Sequence, residues 1–458
     1  MNSLKYKSNP HTEAFLKLWF SYGVILMVGD KLITDWNQVD WSQVEIEVFK
    51  LQKRIFRASQ SGDVAKVHKL QRLLLKSWNA RLLAVRRISQ DNQGKHTAGV
   101  DGVKSLLPKE RIELAENLRL GVKGGSKPGR TEKRGLGIPT IEDRARQALL
   151  KLALEPEWEA KFEPNSYGFR PARSAHDACG AIFTSIKQQS KWVLDADIAK
   201  CFDRIDHDVL LRKLDNTPTI ARQIKVWLKS GVLDKGDWLP TNEGTPQGGV
   251  ISPLLANIAL HGLEENIKKW AETWKGGKRD NRNSISLIRY ADDFVVLHKD
   301  KSVILEAKQR IEQWLNGLGL ELKKSKTRVG HTLHRMDGEE AGFDFLGWNF
   351  RQYAVGKKHT GKSSNGKNLG FKTIIKPSDD NVKTHYQKIV SVLDEMKGKS
   401  QEAIISRLNP IIIGWTAYHS AVCSKETFSR IDHLVYDKLR RWTKSRHSNK
   451  TEKWCIEK

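Results

Sequence analysis

The sequence predicts an α+β fold, on three observations. Strand and helix signals alternate after residue 137 and continue to about residue 350. Helical periodicity precedes that stretch and resumes beyond it. Hydrophobic residues make up 39% of the 458, enough for two or three domains with cores of their own and far from the composition of a disordered chain.

Residues 1–35 read as an N-terminal extension of open role. Val44, Val48, Leu51 and Ile55 then recur at i, i+4, i+7 and i+11, one stripe of a helix. A second helix is expected from about Asp63 to Val85, with Val67, Leu70, Leu74 and Trp78 on one side. The Lys and Arg opposite both stripes read as solvated faces. Residues 121–137 form a Gly- and Lys-rich basic loop. Residues 351–375 read as a linker, polar and rich in Gly, Lys and Ser from 354 to 370. The remainder, 376–458, is mostly helical, and no internal repeat is visible.

Charge narrows the function. Lys and Arg number 79 against 53 Asp and Glu, a net charge of +26. So basic a globular protein usually meets a polyanion, because each neutralised phosphate releases counterions. Residues 351–458 carry about +12 of that excess, more than double the density of the first 350. The apolar run Ala14–Val28, interrupted by Lys17, is too short to span a bilayer and no cleavage-site pattern follows it. Cys179, Cys201, Cys423 and Cys455 show neither a disulfide framework nor metal-ligand spacing. A reducing cytosolic compartment and no membrane association are expected.

Two segments carry chemistry. Lys191–Ile198 reads as a strand with Val193, Asp195 and Asp197 on one face. Ile285–Tyr290 and Phe294–Leu297 read as two strands joined by a tight hairpin with Asp292 and Asp293 at its tip. Neighbouring carboxylates repel unless a cation neutralises them, and hard cations take carboxylate oxygens. Three carboxylates on neighbouring strands suit two-metal phosphoryl transfer. Asp is also common in polar turns, so the dipeptide alone leaves both readings open.

The motifs resemble a known family. Tyr290-Ala291-Asp292-Asp293 resembles the catalytic hairpin of reverse transcriptases. The segments from Leu194 to His207 and from Gly244 to Asn257 are similar to the other two core motifs of the group II intron-encoded lineage, in its bacterial, cyanobacterial-like branch. The likeness covers about residues 36–455. It implies a right-hand polymerase, with fingers and a palm of antiparallel sheet in 36–350 and a helical thumb in 376–458. Asp197, Asp292 and Asp293 are then the catalytic residues and ligands of two Mg²⁺, with Mn²⁺ as the alternative ion. Lys127, Arg134, Phe202, Gln247 and Lys326 serve the incoming nucleotide: Lys127 and Arg134 on the triphosphate, Phe202 excluding a ribose 2′-OH, Lys326 near the leaving pyrophosphate. Arg170 and Arg173, in and just after Asn165–Pro171, contact RNA template. Phe343–Trp348 resembles the segment supporting the primer end. Leu408–His419 is similar to the maturase signature, which binds intron RNA, and Arg440 and Arg441 continue that surface.

The implied function is RNA-directed DNA polymerase and splicing maturase. Its partners are group II intron RNA, RNA template, DNA primer and dNTPs, in the bacterial cytoplasm at the nucleoid or a ribonucleoprotein; the oligomeric state is open. Two other readings stand: a splicing maturase whose polymerase has decayed, and a host-recruited reverse transcriptase. The departures from the family are a shortened segment before the fingers loop, Gly135 for Pro, Ile413 for Arg, and no endonuclease segment after Lys458.

Overall fold

The computed structural model describes residues 35–91, 97–99, 101–121, 129–131, 136–234, 237–239, 243–244, 248–336, 338–451 and 453–454. Lys127, Arg134, Gln247, Cys455 and all of the N-terminal extension except its last residue lie outside them. Contacts divide the chain into two compact units. The first draws on Met1–Phe162, Phe169–Ser174 and Lys200–His261; the second on Glu163–Gly168, Ala175–Ala199 and Gly262–Lys458.

The first unit packs helices Trp41–Gln60, Val64–Lys76 and Trp78–Arg86 around Ile141–Glu159, with Pro108–Asn117 against Trp78–Arg86. The stripe Val44, Val48, Leu51, Ile55 faces this core as its spacing predicts. The single helix expected from Asp63 to Val85 is two. Ser77 takes extended backbone after Lys76, and its hydroxyl accepts from Ala80 N at 3.4 Å, capping a new start. Ile141–Glu159 is buried on almost every side, so its polar groups need partners. Glu157 finds them in Gln71 Nε2 at 2.7 Å and Asn216 Nδ2 at 3.2 Å. Strands β1 (Gly129–Thr131) and β2 (Leu136–Ile138) join β4 (Val232–Asp234) and β5 (Asp237–Leu239) in a sheet of order β2-β1-β4-β5.

The second unit is built on an antiparallel sheet of β3 (Trp192–Asp197), β6 (Ser286–Tyr290), β7 (Asp293–His298) and β8 (Arg328–His331), in the order β6-β7-β3-β8. Helix Ala175–Ile186 covers Val193, Ile288, Val295 and Leu297, and helix Lys301–Asn316 also packs on β3 and β7. Three helices, Asp379–Glu395, Gln401–His419 and Lys425–Arg446, share a core of Ile389, Leu393, Ile404, Leu408 and Trp442. Among the described residues no helix is long and apolar enough to cross a membrane.

The expected linker over 351–375 is not a tether. Strands β9 (Phe343–Phe345), β10 (Trp348–Ala354) and β11 (Phe371–Pro377) form a sheet of order β11-β10-β9, with every residue of β10 paired to β11. Trp348, Phe350 and Gln352 alternate inward, and the polar Gly-rich stretch is the far end of a long hairpin.

Candidate active site

The carboxylates meet by strand register. β3 and β7 are antiparallel neighbours, and Asp197 stands directly opposite Asp293. Tyr290 pairs with Asp293, leaving Ala291 and Asp292 as the two-residue turn between β6 and β7. Ala291 takes φ +58°, the left-handed region such turns demand. The turn is pinned to β3 by Ile198 N, which donates to Asp292 O at 3.2 Å. Lys323 N donates to Asp197 O at 2.8 Å, tying in the segment before β8.

The electrostatics are those of a site short of positive charge. Burial, then repulsion from Asp197 and Asp292, pushes Asp293 up to about 6. Asp292 is raised too, by burial first and Asp197 next. Behind them, burial and the charge of Asp293 push Asp195 up to about 7. Lys326 Nζ lies 2.8 Å from Asp197 Oδ2, and that hydrogen bond raises the pKa of the lysine. Among the described residues no group of three ligating side chains already converges as a metal cage; Asp197 is turned toward Lys326. Two carboxylates in register with a third beside them, all partly desolvated, nevertheless match the oxygen donors and negative charge that hard divalent cations take.

Other supports carry no obvious sequence signal. Arg289, the penultimate residue of β6, is 1% exposed. Its Nη1 donates to Ala291 O at 2.9 Å and its Nη2 to Ser166 Oγ at 2.8 Å, so one guanidinium clamps the turn from behind. Tyr167 N donates to Arg289 O and Arg289 N to Asn165 O, both at 2.9 Å, laying the Asn165–Gly168 segment along β6. Gly168 must be glycine: a Cβ there would stand 2.4 Å from Ala291 N. A charged residue inside an apolar strand was the one available clue to Arg289.

The remaining expected residues separate. Lys326 joins the carboxylates. Phe202 lies in the first unit, on the short helix Cys201–Arg204, edge-on to Phe169 at 6.2 Å. Gly244 in the same unit packs so tightly on Asp203 that a Cβ would fall 2.4 Å from its carbonyl carbon. Arg170 is buried. Its side chain is 2% exposed and holds Glu159 through Nε at 3.0 Å and Nη2 at 2.7 Å, with Phe162 beneath it. Meeting a template phosphate would mean breaking this buried ion pair. Arg173 is partly buried, and Arg440 and Arg441 are exposed on Lys425–Arg446.

Comparison with known proteins agrees along the chain. The family described as "Reverse transcriptase (RNA-dependent DNA polymerase)" matches residues 125–350, "N-terminal domain of reverse transcriptase" residues 36–118, and "Group II intron, maturase-specific domain" residues 382–458. Protein YkfC of Escherichia coli (strain K12) is 30% identical over 342 residues, covering 66% of this chain and 87% of its own. Maturase-like protein 1 of Euglena gracilis is 30% identical over 397 residues, 83% of this chain and 76% of its own. Group II intron-encoded protein LtrA of Lactococcus lactis subsp. cremoris is 28% identical over 317 residues, 56% of this chain and 51% of its own.

Proposed function

Because the chain belongs to the group II intron-encoded reverse transcriptase and maturase family, with the right-hand polymerase fold and the RNA binding those domains carry, we propose that it copies RNA into DNA and assists the splicing of an intron RNA. The observation that carries the polymerase reading is the register of Asp197 with Asp293 beside Asp292. In the reaction, the primer 3′-OH attacks the α-phosphate of a dNTP; a P–O bond forms to the primer and the bond to pyrophosphate breaks. Reverse transcriptases use divalent metal ions, and on this reading Asp197, Asp292 and Asp293 would hold two Mg²⁺, which supply positive charge to the attacking and leaving oxygens. Lys326, 56% exposed at its side chain beside Asp197, would meet the leaving pyrophosphate. Phe202 excludes the 2′-OH, Gln247 contacts the nucleotide, and Lys127 and Arg134 hold its triphosphate.

Primer extension on an RNA template with Mg²⁺ and dNTPs tests this. The wild-type protein extends, and Asp292→Ala abolishes synthesis. Tight intron-RNA binding without wild-type extension leaves the second reading, a maturase without polymerase activity. The feature favouring that reading is the shortened segment before the fingers loop.

A further inference from the structure

The two-residue turn between β9 and β10 is strained and held from outside. Phe345 pairs with Trp348, leaving Leu346 at φ +51° and Gly347 at φ +81°. A turn positive at both positions favours Asn-Gly, and leucine occupies that region only when its surroundings over-determine it. The turn borders a cleft of about 790 Å³ that it shares with Asp197, Asp293, Lys326 and Phe345.

Both carbonyls of the turn are claimed by the helices that follow. Tyr418 Oη donates to Leu346 O at 2.8 Å, while its ring stacks on Trp348 at 4.4 Å and 6°. Ser378 N donates to Gly347 O at 2.9 Å. A Cβ on Gly347 would meet Asn381 Nδ2 at 2.8 Å, so the Asn381 amide closes directly over the turn. Asn381 is itself fixed: its Oδ1 accepts from Trp415 Nε1 at 2.7 Å and from His419 Nε2 at 3.0 Å. His419 is fully buried, and burial holds its pKa down at about 4, which keeps the imidazole neutral. The oxygen it faces has no proton to give, so Nε2 carries one. Trp415, Tyr418 and His419 are spaced to share one helix face, and all three belong to the segment expected to bind RNA.

We propose that this segment of the maturase signature is a positioning element of the polymerase site: Tyr418 and the Asn381–Trp415–His419 hub hold the Leu346-Gly347 turn beside the carboxylate cleft, where it seats the primer end. The proposal deepens the polymerase reading and rests on it. Ordinary aromatic packing would explain the stacked rings. It does not explain why the only proton of the Tyr418 phenol goes to the carbonyl of the strained residue.

Tyr418→Phe removes that proton and keeps the ring. We expect KM for primer–template to rise about 5- to 10-fold, the worth of one hydrogen bond, with KM for dNTP and intron-RNA affinity within about twofold of wild type. Amide exchange across residues 343–350 should quicken about tenfold by the same measure, and Asn381→Ala should shift both readouts in the same direction. Unchanged primer KM and unchanged exchange overturn the proposal. So does a loss of RNA affinity in step with extension, which makes the face an RNA contact. If the wild-type protein extends no primer, the polymerase reading fails, and exchange in the two variants still decides whether the signature holds the turn.

Discussion

Arg289 shows how much one side chain can do at this site. Its guanidinium is buried and donates in two directions, to the Ala291 carbonyl and to Ser166. Burial raises the pKa of Asp292 and of Glu163, and the charge of Arg289 offsets part of that rise. Replacing it with methionine fills the space but removes both hydrogen bonds and part of the compensation of both carboxylates. Arg289→Met should cost about 3–5 kcal/mol of stability, read as a lower urea midpoint at unchanged m-value. Arg289→Lys should lose part of that, because an ammonium cannot span the fork. A methionine variant within about 1 kcal/mol of wild type would show that the clamp is not what holds the turn. Lys326 and Arg170 make the converse point. Two cations that the sequence assigns alike to binding end up differently, one exposed beside the carboxylates and one buried on Glu159.

At the scale of elements, the helical region beyond β11 is tied together by neutral imidazoles. Burial holds His385 and His419 down at about 4, and His331 on β8 likewise. Between pH 6.5 and 4 the unfolded chain takes up protons that these buried rings refuse. Their contribution is therefore full above about pH 6.5 and is lost as pH falls toward 4. Asp195 and Asp293, raised to about 7 and about 6, act in the opposite sense, since protonation relieves their burial as pH falls. A His419→Gln variant separates the two. The wild-type stability lead over the variant should shrink by on the order of 1–2 kcal/mol between pH 7.5 and 4.5, measured by urea unfolding at each pH. A constant lead would mean that His419 is not buried neutral. The cap that starts the first of these helices, Ser378 accepting from Asn381 N, is local in sequence.

For the molecule as a whole the governing quantity is its charge of +26. If the basic surface meets RNA backbone, affinity must fall steeply with salt. Six to ten phosphate contacts give a log–log slope on the order of −4 to −7 for single-stranded RNA. Fluorescence anisotropy over a salt series measures it. A slope near zero would count against the electrostatic argument and leave the recognition to shape and stacking. Arg440→Gln with Arg441→Gln should flatten the slope by about one to two contacts, since both side chains are exposed on the last long helix.

By itself the sequence determined what depends on neighbours along the chain. The strands at β3, β6 and β7, the hairpin carrying Asp292 and Asp293, the stripe on the first helix and the excess of basic charge follow from spacing, turn chemistry and composition; that Asp293 starts β7 and leaves a two-residue turn came from the pairing with Tyr290. Tertiary structure decided the rest, because those choices depend on partners far away in sequence. Arg289 clamps through Ser166, 123 residues upstream. Gly168 is required by Ala291, another 123 residues on. The polar stretch after Ala354 became a hairpin end only because β10 found β11. Tyr418 reaches back 72 residues to Leu346. Hydrogen bonds of that range leave no periodic trace, since burial and geometry select the partner and the chain between is free to be almost anything.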